Sequence, residues 1–119
     1  MTIEVLNLDN KSCFLFGKDE RVADFRLDNP TCSSQHAVVQ FRRVGVERAD
    51  GTFGSEIRPY LMDLNSTNGT VLNEKKIETQ KYYQLLGKDV IRFGMSSREY
   101  VVMHTENEIL RENVKANER

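Results

Sequence analysis

The sequence has no tryptophan, two prolines, two cysteines and two histidines among its 119 residues, and no marked excess of either charge. Each scarcity removes a class of protein. The 17 Lys+Arg stand against 18 Asp+Glu, a formal net charge of −1, so the broad positive field that holds nucleic acid is missing. Nucleic acid is therefore not expected as a direct ligand. No stretch approaches the roughly 18 consecutive apolar residues of a membrane-spanning helix, and no membrane partner is expected. Met1-Thr2-Ile3-Glu4 lacks the basic start and apolar run of a signal peptide. Cys13 lies in an apolar run and Cys32 beside serines, which is no disulfide framework and agrees with a reducing compartment.

The chemistry of catalysis is scarce as well. Neither a Walker phosphate loop nor a Gly-x-Gly-x-x-Gly turn occurs, which argues against nucleotide binding. There is no Gly-x-Ser-x-Gly elbow, and Ser33 or Ser34 lies too close in sequence to His36 to align with it along a strand. Cys13, Cys32, His36 and His104 lack the paired close spacing of zinc ligands. No enzyme, metal or other cofactor is expected.

What remains is 39% hydrophobic residues, enough for one core in a chain of this size, distributed in short runs. Apolar stretches at 3–8, 12–16, 22–27, 36–41, 57–64, 70–72, 82–86, 90–93 and 100–103 are separated by turn residues, with glycine at 17, 45, 51, 54, 69, 87 and 94. Short strands at close spacing predict an all-β antiparallel sandwich. The polar stretch 43–56, with Asp50-Gly51 and Gly54 inside it, reads as an extended hairpin loop. Thr105-Glu106-Asn107-Glu108 fits a capping box, and Leu110 and Val114 follow four apart. The expected organisation is thus a β domain over 1–104 and a short helix or frayed tail over 105–119.

Polar residues without a packing role concentrate between these runs. Gly17-Lys18 puts a turn and a cation at a strand end. Pro30 to His36 is rich in hydroxyls, and Asn65-Ser66-Thr67-Asn68-Gly69-Thr70 is a second such segment closed by an Asn-Gly turn. Loops of a sandwich can converge at one end. A cation, several hydroxyls and an amide brought together there are hydrogen-bond donors suited to a phosphorylated side chain, with its charge of about −1.5 to −2 and three acceptor oxygens. Asn68 offers a donor and an acceptor together and suits a peptide main chain.

In that order, Gly17-Lys18, Ser33-x-x-His36, and Asp63 to Thr70 with Asn73 resemble the forkhead-associated (FHA) domain, over about Phe14 to His104. The resemblance implies an eleven-stranded sandwich that binds phosphothreonine peptides through apical loops. Carried over by position, Ser33 would bond the phosphate, with Ser34 and Thr67 lining the same pocket. Asn68 would hold the peptide backbone, His36 would brace the loop, and Gly17 and Gly69 would shape it. The family usually has arginine where this chain has Lys18, a flexible point charge in place of a planar fork. Arg21 is a candidate to supplement it. A phosphate-independent interaction scaffold with a partly degenerate pocket remains the alternative.

A narrower likeness rests on Arg48-Ala49-Asp50-Gly51, Arg58-Pro59-Tyr60, Ile77-Glu78, Tyr82-Tyr83, Phe93-Gly94 and Ser96 to Val101. These resemble the Smad nuclear-interacting and Dawdle branch of the family, whose fungal member belongs to the pre-mRNA retention and splicing (RES) complex. That likeness implies a nuclear adaptor with phosphorylated proteins and splicing-complex subunits as partners, monomeric as an isolated domain. It also implies an N-terminal arm ahead of the FHA domain, so this chain reads as a fragment without it.

Overall fold

Period-two alternation gives each strand an inward and an outward side, and two sheets close over the inward sides. The computed structural model of the chain describes residues 3–6 and 12–103. The helix expected within 105–119, and His104, lie outside them. The described strands are β1 (Ile3–Leu6), β2 (Cys13–Gly17), β3 (Phe25–Arg26), β4 (Ala37–Glu47), β5 (Phe53–Asp63), β6 (Thr70–Leu72), β7 (Lys75–Lys76), β8 (Tyr83–Gln84), β9 (Val90–Phe93) and β10 (Glu99–Val102). One sheet has the order β1-β10-β9-β6-β7 and the other β3-β2-β4-β5-β8. Neighbours pair antiparallel except β1 with β10 and β2 with β3. The described residues thus form an all-β sandwich of ten strands, against the eleven that the resemblance implied. The Asp63–Thr79 contact is a single isolated bridge, too short to form a strand.

Aromatic packing ties the sheets together. Phe16 on β2 is fully buried. It stacks on Phe25 at a centroid distance of 4.7 Å and on Phe93 of the opposite sheet at 4.9 Å. It also meets Tyr100 edge-on at 6.0 Å. Val39, Leu61, Leu85 and Ile91 fill the remaining space with no exposed surface. This core lies directly under the C-terminal end of β2, where Gly17 leads into the first polar loop, so the loop leaves from a rigid base.

The stretch 43–56 is not a loop. β4 and β5 pair residue for residue from Ala37↔Asp63 out to Glu47↔Phe53, and only 48–52 turns. Asp50 Oδ1 accepts from the Thr52 amide and hydroxyl, and Gly51 takes φ +85°. The ribbon escaped the sequence pattern because its outer half packs on little: Phe53 and Ile57 are 78% and 48% exposed. One face is only half-buried, and its apolar alternation is short, Val44 and Val46 alone on β4, so the pattern that marks a strand is weak. The tyrosine pair divides as alternation requires. Tyr83 packs against the core, while Tyr82 lies outside under the Arg42 guanidinium, 4.2 Å from its ring centre.

The two kinds of phenylalanine make a direct comparison. Phe16→Ala should cost about 3–5 kcal/mol of stability in urea denaturation. Phe53→Ala should stay within about 0.5 kcal/mol of the parent.

Candidate functional site

The first loop is set by a backbone approach that only glycine allows. Beyond the β2–β4 ladder, the Lys18 amide donates to the Ser33 carbonyl at 3.0 Å and the Asp19 amide to the Ser34 carbonyl at 3.2 Å. A Cβ on Gly17 would lie 2.0 Å from the Ser34 carbonyl oxygen, so any side chain there would push the two segments apart.

The second loop is built on a buried carboxylate. Asp63, at the end of β5, is 2% exposed. Its Oδ1 accepts from the hydroxyls of Ser66 at 2.5 Å and Thr70 at 2.7 Å, and its Oδ2 from the Ser66 amide at 3.0 Å. Burial alone pushes this carboxyl up, but the bonds from Ser66 and Thr70 outweigh it and hold the group below the ordinary value of 3.8. Ser66 Oγ in turn accepts from the Gly69 amide at 3.0 Å. Asn65 at φ +60° and Gly69 at φ +86° make the tight bends.

His36 joins the two loops. It is fully buried, its Nδ1 accepts from the Ser33 amide at 3.0 Å, and its Nε2 lies 2.8 Å from the Gly69 carbonyl. An acceptor at Nδ1 and a carbonyl at Nε2 require the neutral Nε2–H tautomer. Burial pushes the imidazole below the ordinary histidine value of 6.5, and the opposing pull of the Gly69 carbonyl and Asp63 does not cancel it.

The bracing leaves a definite set of groups at the surface. Ser33 Oγ accepts from the Thr67 amide at 3.1 Å, which leaves the serine O–H to donate outward. The hydroxyls of Ser34 and Thr67 are exposed. Asn68 Nδ2 donates to the Thr31 carbonyl at 2.7 Å, fixing the carboxamide and leaving its oxygen and second N–H for a ligand. Lys18 is exposed with no carboxylate partner among the described residues. Arg21 is placed differently: its guanidinium is bidentate on Asp19, at 3.0 and 3.1 Å, so its charge is already partnered. The structure therefore brings Lys18, Ser33, Ser34, Thr67 and Asn68 to one apex, with Gly17, His36 and Gly69 beneath them.

Two contributors escaped sequence reasoning. Asp63 was legible only as the first letter of a motif, although hydroxyls three and seven residues on are the signal of a carboxylate-centred loop. Thr31 holds Asn68 through its carbonyl, a main-chain role that leaves no mark in the sequence, and its Oγ1 accepts from the Met95 amide at 2.9 Å.

His36 binds a proton more readily in the unfolded chain than in the fold. Its contribution to stability is therefore complete above about pH 6.5 and is lost as the pH falls toward its lowered folded value. Urea midpoints measured from pH 7.5 down to 5.5 should fall more steeply in the parent than in His36→Gln, which lacks the titrating group.

Comparison with known proteins agrees with this geometry. Residues 14–94 match the family described as FHA domain. Mouse Smad nuclear-interacting protein 1 is 52% identical over 102 residues, covering 86% of this chain and 27% of that protein, so the chain spans about a quarter of the length of that relative. The structure of the yeast Pml1 splicing factor and its integration into the RES complex aligns with a TM-score of 0.60 at 34% identity, over 76% of this chain and 58% of that one. The MEK1 FHA domain in complex with a HOP1 phosphothreonine peptide aligns with a TM-score of 0.53 at 26% identity, over 75% and 76% of the two chains. With its matched span, its sandwich and its stapled apical loops, the chain belongs to the FHA domain family.

Proposed function

We propose that the chain is a phosphopeptide-reading module that prefers phosphothreonine and acts as an adaptor subunit of a nuclear pre-mRNA splicing and retention complex. One observation carries the first half: the outward Ser33 hydroxyl, the exposed hydroxyls of Ser34 and Thr67, and Lys18, without a carboxylate partner among the described residues, share one apex. A phosphoryl group presents acceptor oxygens and negative charge, and hydrogen bonds to a charged group contribute about 1.5–3 kcal/mol each. Asn68, held by Thr31, is the group for the peptide main chain. Gly17, His36 and Gly69 hold the loops and touch no ligand. Arg21 stays with Asp19 in the free protein and enters the phosphate site only by exchanging that partner.

The nuclear splicing role draws on the relatives. One is named as a nuclear-interacting protein and another is described as a splicing factor of the RES complex. The partners of this reading are a phosphorylated protein and the protein subunits of such a complex, with the FHA unit spanning 1–104 and working as a monomer.

Calorimetric titration with matched phosphothreonine, phosphoserine and unmodified peptides tests the proposal. The phosphothreonine form should bind best, and Lys18→Ala with Ser33→Ala should weaken it by about tenfold or more. Equal binding of the three forms would leave a phosphate-independent scaffold in its place.

A further inference from the structure

A second cation reaches the same apex from an element with no part in the phosphate site. Lys76 lies on β7, paired with Val71 of β6. The hairpin between these strands turns on Asn73 and Glu74, both at positive φ, +49° and +70°. Asn73 also anchors it to the body of the domain: its Nδ2 donates to Asp89 Oδ1 at 3.0 Å and its Oδ1 accepts from the Val90 amide at 2.9 Å. The lysine thus rises from a rigid base. Its side chain runs back over Gly69: a Cβ on that glycine would lie 2.4 Å from Lys76 Cε and 3.2 Å from Nζ. The missing side chain at Gly69 therefore serves two ends. It permits φ +86° in the loop, and it clears the path by which the ammonium passes over Gly69, the residue after Asn68.

The lysine is exposed and forms no ion pair among the described residues. Glu78, two residues on, is taken by Lys81 at 3.1 Å. Thr67 and Gly69 are two residues apart, at most about 7 Å, so a peptide whose phosphate sits at Ser33 and Thr67 and whose main chain lies on Asn68 carries its neighbouring side chains past Lys76. We infer that Lys76 is a second anion contact of the site, one that receives a carboxylate or a second phosphate on a residue flanking the phosphoresidue. It makes the preferred ligand an acidic or multiply phosphorylated segment and adds to the single charge of Lys18. The inference rests on the phosphopeptide reading above.

Calorimetric titration with one phosphothreonine peptide, its flanking positions replaced in turn by alanine, lysine, aspartate or phosphoserine, tests it. At one flanking position or more, aspartate or phosphoserine should bind about three- to fivefold more tightly than alanine, as for an exposed ion pair. Tighter binding of phosphoserine than aspartate identifies a second phosphate as the better occupant, and equal binding identifies a carboxylate as sufficient. Lys76→Ala should abolish the preference while phosphate dependence survives, and Lys76→Glu should turn it toward lysine. An unchanged acidic preference in Lys76→Ala, or a parent indifferent to flanking charge yet still dependent on phosphate, overturns the role of Lys76 alone. A parent that binds phosphorylated and unmodified peptides equally overturns both this inference and the phosphate reading.

Discussion

The apex depends on one buried imidazole that accepts from one loop and donates to the other. His36 is the buried member of three side-chain links between the 30–36 segment and the 64–69 segment: the Ser33 amide and the Gly69 carbonyl meet at its two nitrogens, while Ser33 Oγ and Asn68 Nδ2 make the other two at the surface. Neither bond substitutes for the other. A doubly protonated ring would face the Ser33 N–H with a second donor, and the opposite tautomer would set bare Nε2 against a carbonyl. Burial disfavours the charged form, so the environment that makes the histidine costly to protonate also keeps the staple closed.

Around that staple the site is built mostly from neutral donors. Ser33 Oγ accepts from the Thr67 amide, which orients the hydroxyl and leaves its proton to donate to a ligand. Asp63 absorbs the hydroxyls of Ser66 and Thr70, so those groups serve the loop, and Thr67 and Asn68 are the residues it presents. Lys18 then adds a point charge where a bidentate fork is usual, and Arg21 is held by Asp19. A domain of net charge −1 can serve as a phosphate reader on these terms, since one phosphate needs one or two cations within a ring of donors and no general positive field. The near-balance of charge speaks against a polyanion such as nucleic acid and leaves a single phosphorylated site within reach.

Much of this was legible before the structure. The strand runs around Phe16, Val39, Leu61 and Phe93 alternate or cluster because they face a core, and core-facing alternation is the signal that sequence reading detects. The order of Gly17-Lys18, Ser33-x-x-His36 and Asn68-Gly69 pointed to one apex. The paired outer half of β4 and β5 reads as a loop in sequence because its apolar alternation is only Val44 and Val46, both half-buried, set among the charged and glycine residues of 43–56. The partnership of Arg21 with Asp19 was hidden by its locality, since an i, i+2 pair depends on the turn that brings it together. Thr31 and Gly69 contribute a carbonyl each, and main-chain chemistry is common to every residue.

A nitrogen-detected NMR spectrum of the His36 imidazole at neutral pH reads the staple at both of its nitrogens. The expected result is a bare Nδ1 and a protonated Nε2, with scalar couplings across hydrogen bonds to the Ser33 amide and the Gly69 carbonyl. A doubly protonated ring, or a proton on Nδ1, would contradict it.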